Sequence, residues 1–181
     1  MAICEILLYP QHKAELRKKS SPVPGVNQQV KRLVRDLQDT LAAHPDGVGL
    51  AAPQINAHQR VVVVRLPGEE RGVAGPNQIE ALVNPVIVQA KDLRRDYDGC
   101  LSFPGLYGET VRPHFLRVTG LDEQGQPLDR VFEGFDAVIV HHEIDHLEGV
   151  LFVDRIERLE DLYRLEQDED GRLIRVAIQV V

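Results

Sequence analysis

Apolar residues first recur at helical spacing after Val26. Val30, Leu33, Val34, Leu37 and Leu41 fall on one face of an amphipathic helix. Asn27 is placed as its cap and Pro45-Asp46-Gly47 as its stop. Residues 1–25 mix apolar positions with Pro10, Pro22, Pro24 and Gly25, the pattern of an irregular arm with short extended pieces. Gly47–Gln54 (GVGLAAPQ) is small and tightly turned, and Arg60–Leu66 (RVVVVRL) reads as a strand from its β-branched content. Residues 67–78 are rich in Gly and Pro and predict a loop. Ala81–Ala90 predicts another strand, which Pro85 confines to an edge or a bend. Leu116–Leu121 and Leu128–Glu133 predict a hairpin closed by residues 122–126. A helix is predicted from about Phe135 to Leu147, ending at Gly149. A short strand (150–154), a charged helix (156–167), a turn at Asp168–Gly171 and a last strand, Leu173–Val181, complete the pattern. Strands cluster in the middle of the chain, so the expected class is α+β. Antiparallel β-sheets would pack around a buried central helix, with an N-terminal helix and a C-terminal helix plus strand, in a single domain over residues 1–181.

The central helix carries the strongest chemical pattern, His142-Glu143-Ile144-Asp145-His146. Two histidines four residues apart lie about 40° from each other on one helix face, so both imidazoles reach one metal ion. Glu143 projects beside them, where it can take a proton from water at the metal. Phe135, Val138 and Ile139 share the histidine face, while Ala137, Val140, Ile144 and Leu147 form a second apolar stripe. A helix apolar on two faces is buried, and bare histidines there are costly unless ligated or hydrogen-bonded. A catalytic four-coordinate site requires a third protein ligand. Residue spacing leaves two candidates: Glu166 downstream, within a charged segment, and Cys100 upstream, in Asp98-Gly99-Cys100-Leu101-Ser102.

Composition narrows the function classes. The 181 residues are 43% hydrophobic and 27% charged, as a globular chain requires, and the net charge of −7 argues against direct nucleic-acid binding. No apolar run approaches the roughly 20 residues of a membrane helix. MAICEILLYP lacks the pattern of a secretory signal, and two cysteines, Cys4 and Cys100, fit a reducing compartment, so a cytoplasmic location is expected.

GVGLAAPQ (47–54), DGCLS (98–102) and HEIDHLEG (142–149), in that order, resemble the three signature motifs of peptide deformylases. Ile6–Pro10 and Val150–Asp154 extend the likeness to about residue 157. The resemblance implies an enzyme that removes formyl groups from the N-terminal formylmethionine of newly made proteins. It implies that Cys100, His142 and His146 hold one divalent metal, usually Fe(II), with Zn, Ni or Co able to substitute. Glu143 would then be the catalytic acid/base, and Gln54 with the backbone N–H of Leu101 would face the developing oxyanion. Gly49 and Gly99 are expected to border the peptide, and Val48, Phe135, Val138 and Ile139 to line the methionine pocket. Asp98, Arg112 and Asp145 are expected to cluster behind the ligands and orient them. Partners would be N-formylmethionyl nascent chains, with transient ribosome contact, and the protein a monomer or weak dimer. Two readings compete with this one: a general HExxH metallopeptidase and a peptide-binding protein of the same fold without activity.

The chain departs from the family pattern at four places. Asp98 stands where glutamate is usual, His141 where glutamine is usual, and Tyr107 where some bacterial members carry an arginine near the substrate. Its tail reads as a strand where many bacterial members end in a helix.

Overall fold

The structure is a computed structural model and describes residues 2–70, 73–168 and 170–178. Its elements run α1 (Lys13–Leu16), α2 (Gln28–Ala42), β1 (Gly49–Ala51), β2 (Val61–Glu70), β3 (Val73–Gly99), β4 (Leu106–Leu121), β5 (Pro127–Glu133), α3 (Phe135–Leu147), β6 (Leu162–Gln167) and β7 (Leu173–Ala177), with 3-10 turns at Ala52–Ile55, Phe152–Arg155 and Leu159–Asp161. All ladders are antiparallel, in the order β1-β2-β3-β4-β6-β7, with β5 also paired to β4.

β2 explains why the core lies on both faces of this sheet. Val61 and Val63 pack with Val30, Leu33, Val34, Leu37 and Leu41 of α2, whereas Val62, Val64 and Leu66 pack with Ala137, Ile139, Val140, Ile144 and Leu147 of α3. A strand buried on both sides reads as an unbroken apolar run, as RVVVVRL does. α2 begins where Asn27 Oδ1 accepts from the N–H groups of Gln29 and Val30, so the expected cap is the observed one. α3 ends at Leu147 with Glu148 as its cap, and Gly149 takes a left-handed backbone with φ +73°.

Three expectations need correction. The charged segment 156–167 is no helix: after the 3-10 turn at Leu159–Asp161 it is strand β6, paired on one side with Leu106–Gly108 and on the other with β7. Local helix propensity loses here because β4 offers a ladder edge to β6, and β7 pairs along its other side, with the Asp168 N–H donating to Arg172 O. Residues 152–155 form a 3-10 turn where a strand was expected, with Asp154 accepting from the Leu151 N–H and from Arg17. Much of the expected loop at 67–78 belongs to a β2–β3 hairpin, with Glu70 opposite Val73. The N-terminal arm contains one helical turn, α1, that its sequence does not announce. Asn84-Pro85 does bend β3: the register slips between Val83 and Val86, and Asn84 adopts φ 51°. The Asn84 carboxamide exchanges two hydrogen bonds with the Val23 backbone, which pins the arm to that bend. The end of the expected last strand, residues 179–181, lies outside the described residues. No helix among the described residues is long and apolar enough to cross a membrane.

Candidate metal centre and cavity

Three segments distant in sequence meet at one point. α3 presents His142 and His146, and the turn after β3 presents Cys100. One ligand atom from each of the three lies within 4.8 Å of the others, and the Cys100 sulfur is 3.2 Å from His146 Nε2. Among the described residues this is the one such group of three or more potential ligands. Glu166, the downstream candidate, lies exposed on β6 opposite Ile174. Of the two candidates for a third ligand, it is Cys100 that lies beside the histidines.

The donor set fits one divalent ion of intermediate softness, with one thiolate and two imidazoles within a span that a four-coordinate metal bridges. Burial, aided by the neighbouring His142, pushes His146 down to about 3, which keeps its ring neutral as a ligand must be. Burial works against charge on His142 too, but Asp98 and Cys100 beside it raise its pKa well above the ordinary value.

Asp98 sets the orientation of His142. One carboxylate oxygen accepts from His142 Nδ1 at 2.7 Å, which turns Nε2 toward the sulfur. Its other oxygen accepts from Arg112 Nε at 2.6 Å and from the Thr110 hydroxyl at 2.8 Å. Arg112 is fully buried and also donates to Asp145 and to His141 Nδ1, each at 2.7 Å. Asp145 accepts two further bonds from Arg155. Burial pushes Asp98 upward, but His142 and Arg112 together outweigh it and hold the carboxyl well below the usual range. Asp98, Arg112 and Asp145 therefore stand together behind the candidate ligands, and the shorter aspartate reaches the imidazole directly. His141 faces Arg112 away from the ligand cluster, and burial pushes it down to about 4, so a neutral ring accepts the guanidinium.

In front of the cluster lies a cavity of about 550 Å³. Val48, Gly49, Gln54, Gly99, Cys100, Leu101, Phe135, Val138, Ile139, His142 and Glu143 all line it. Val48 and Phe135 are each 42% exposed, whereas Val138 and Ile139 are buried, and Ile139 also belongs to the core beneath α3. Gln54 sits in the 3-10 turn after β1 with its amide direction set from behind. Oε1 accepts from the Ala51 N–H at 2.8 Å, so Nε2 faces forward, donating to Ser102 Oγ at 3.1 Å and to the Cys100 sulfur at 3.4 Å. The N-terminal arm is strapped over this floor by Leu7 N–H to Gln54 O and Tyr9 N–H to Ser102 O. Glu143 is buried, and its Oε2 has no hydrogen-bond partner among the described residues. Burial raises this carboxyl to about 7.

Sequence reasoning missed several participants. Ser102 holds Gln54, Thr110 and Arg155 brace the acidic pair, and Ile6, Leu8, His44, Asp46 and Tyr97 join the cavity wall. Thr110 had a usable signal, since it stands two positions before Arg112 on one strand face. The arm residues had none, because nothing local says where an irregular segment will lie.

Comparison with known proteins agrees with this architecture. The sequence model of the polypeptide deformylase family matches residues 3–161. The chain is similar to peptide deformylase 1 of Burkholderia multivorans, 39% identical over 160 residues that cover 88% of this chain and 83% of the relative. Its fold is similar to peptide deformylase from Ehrlichia chaffeensis in complex with actinonin, with a TM-score of 0.77 and 33% identity over 87% of this chain and 91% of that one. It is also similar to the Met-Ala-Ser-bound class I type b peptide deformylase from Acinetobacter baumannii, with a TM-score of 0.75 and 31% identity over 86% and 99% of the two chains. Sequence and fold agree from the N-terminal arm through the third 3-10 turn, and on that agreement the chain belongs to the peptide deformylase family of enzymes.

Proposed function

We propose that this chain removes the formyl group from the N-terminal formylmethionine of newly synthesised polypeptides and releases formate. One observation carries the reading: the ligand atoms of Cys100, His142 and His146 converge within 4.8 Å, and Glu143 stands buried beside them on the wall of an apolar cavity. The three ligands would hold one divalent ion, Fe(II) natively, with Zn, Ni or Co as substitutes. The chemistry such an ion supplies is Lewis-acid activation of water and of the formyl carbonyl.

The remaining work falls to side chains of this protein. Glu143 accepts a proton from the attacking water and returns it to the departing amine, a role suited to a carboxyl raised toward neutrality. Gln54 Nε2 and the Leu101 N–H donate to the oxygen on which negative charge develops, each contributing about 3 kcal/mol. Val48, Phe135, Val138 and Ile139 receive the methionine side chain, while Gly49 and Gly99 leave room for an extended peptide backbone. Asp98, braced by Arg112 and Asp145, keeps His142 aimed. A peptide ligand in the Acinetobacter baumannii relative and actinonin in the Ehrlichia chaffeensis relative support a peptide-like occupant here. The protein acts as a single domain in the cytoplasm, a monomer or weak dimer that touches the ribosome transiently and binds neither membrane nor nucleic acid directly.

The test is formate release from formyl-Met-Ala by protein purified anaerobically and loaded with Fe(II) or Ni(II), alongside elemental analysis. Turnover is expected with about one metal ion per chain, and Cys100→Ser should lose both. Metal retained in Cys100→Ser would favour a metallopeptidase that takes its third ligand elsewhere. Full metal loading of the unaltered chain without formate would favour a binding protein.

A further inference from the structure

Arg112 has one partner that the proposed chemistry leaves without a role. Its guanidinium, fully buried on β4, meets acceptors from three side chains. Nε donates to Asp98 at 2.6 Å, and Nη1 donates to Asp145 and to His141 Nδ1, each at 2.7 Å. Two of these acceptors are carboxylates and the third is an imidazole. A guanidinium has no lone pair to offer, so His141 Nδ1 is the acceptor and the ring proton sits on Nε2. Only 13% of the His141 side chain reaches solvent. Charge around it is already balanced, because Asp98 and Asp145 face Arg112 and Arg155. A neutral acceptor at 141 therefore satisfies the guanidinium without drawing it away from Asp98.

The contact has a line of action toward the candidate ligands. Asp145 and His141 share Nη1 of one rigid planar fork, so together they fix the rotation of the guanidinium and the direction of Nε. Nε meets one oxygen of Asp98, and the other oxygen takes the His142 Nδ1 proton at 2.7 Å. The flat face of His142 is set separately, by the Phe152 ring stacked on it at 6.4 Å between centroids and 22° between planes. Stacking leaves rotation within the ring plane free, and the bond to Asp98 is what removes that freedom. His141 and His142 are neighbours in sequence but leave α3 about 100° apart. Their connection runs through Arg112 on β4 and Asp98 on β3.

We infer that His141 is a positioning residue for the candidate metal centre: it holds the Arg112 guanidinium so that Asp98 keeps His142 aimed at Cys100 and His146. The metal-binding tests of this role stand apart from the deformylase reading, and only the turnover test rests on it. Removing the acceptor should weaken metal binding about 10-fold, the low end of what groups behind metal ligands contribute.

The experiment compares His141→Leu, which removes the acceptor, with His141→Asn, which keeps one near the position of Nδ1. Co(II) affinity of the full chain is read by competition with a chromophoric chelator. His141→Leu should bind about 10-fold more weakly and shift the visible Co(II) absorption even at saturating metal. His141→Asn should stay within about 2-fold of the unaltered protein, with its spectrum unshifted. Asp98→Asn cuts the link between Arg112 and the carboxylate, so in that background His141→Leu should add less than about 2-fold. At saturating metal, His141→Leu should lower kcat for formyl-Met-Ala and leave KM nearly unchanged. A last readout depends on no variant: nitrogen-15 spectra of the unaltered Zn(II)-loaded protein should show the His141 proton on Nε2. Unchanged affinity and spectrum in His141→Leu, equal losses in the leucine and asparagine variants, full additivity with Asp98→Asn, or a proton on Nδ1 would each overturn the role. Absence of Co(II) binding by the unaltered protein would remove the centre itself. No formate from the unaltered protein, with the affinity and spectral differences intact, would overturn the deformylase reading and leave the role of His141 standing.

Discussion

The backbone of Gly49 lies directly against the carboxylate of Glu143: a Cβ on residue 49 would sit 2.3 Å from Glu143 Oε1. The second glycine of GVGLAAPQ thus has a reason beyond peptide approach, because it makes room for the acid on α3. Gly49→Ala should displace that carboxylate with the metal ligands untouched. Misplacement on this scale costs up to about 100-fold. The expected result is a fall in kcat of one to two orders of magnitude at unchanged metal content, read from formyl-Met-Ala kinetics and elemental analysis.

Glu143→Gln keeps the shape and removes the proton acceptor. Activity should fall by roughly 10²- to 10⁴-fold while metal is retained. In the proposed mechanism the unaltered protein requires the ionised carboxylate, so kcat/KM should rise with pH through the Glu143 ionisation. Burial raises that ionisation to about 7, and a nearby cation would move it lower. An acidic limb centred above pH 7, or one that persists in Glu143→Gln, would assign the proton transfer to another group.

Arg112→Ala should be damaging out of proportion to its distance from the cavity. It would leave Asp98 without its Nε partner and Asp145 supported by Arg155 alone. Removing one partner of a buried ion pair costs about 3–5 kcal/mol. The expected outcome is a lower Tm and a metal affinity reduced by roughly 10- to 100-fold, since His142 loses its fixed orientation. Unchanged metal affinity would confine this cluster to a stabilising role.

Acid should loosen the contacts that hold α1 and the end of α3. The Arg17 guanidinium hydrogen-bonded to Asp154 lowers that carboxyl, and Lys19 with Arg60 lowers Glu148, against the opposing effect of burial. Their folded-state values lie below the unfolded ones near 4, so the stabilisation is complete above that pH and is lost as pH falls through the folded values. Both pairs are partly exposed, so each is worth at most about 1 kcal/mol. Thermal melts of the unaltered protein and Asp154→Asn from pH 6 to pH 3 should converge at the acid end. A constant difference in Tm across that range would contradict the ion-pair account.

Much of this molecule can be read from local pattern. The α2 face, the Asn27 cap, the valine strand and the bend at Asn84-Pro85 follow from periodicity and side-chain stereochemistry within a dozen residues. His142, Glu143 and His146 share one helical register, so their joint presentation requires nothing beyond that helix. The segment 156–167 escapes local pattern because Leu159, Leu162 and Tyr163 fit a helix as well as a strand. The ladder edge that decides the matter belongs to Leu106–Gly108, more than fifty residues earlier.

By itself the sequence determined which elements with strong periodicity would form and which chemical groups the central helix would carry, because both depend on neighbours along the chain. Only the tertiary structure decided that Cys100 rather than Glu166 faces the histidines, that Asp98 spans directly to His142, and that His141 meets Arg112. Those relations depend on strand register and on how far one segment lies from another in space, and neither quantity is encoded at short range.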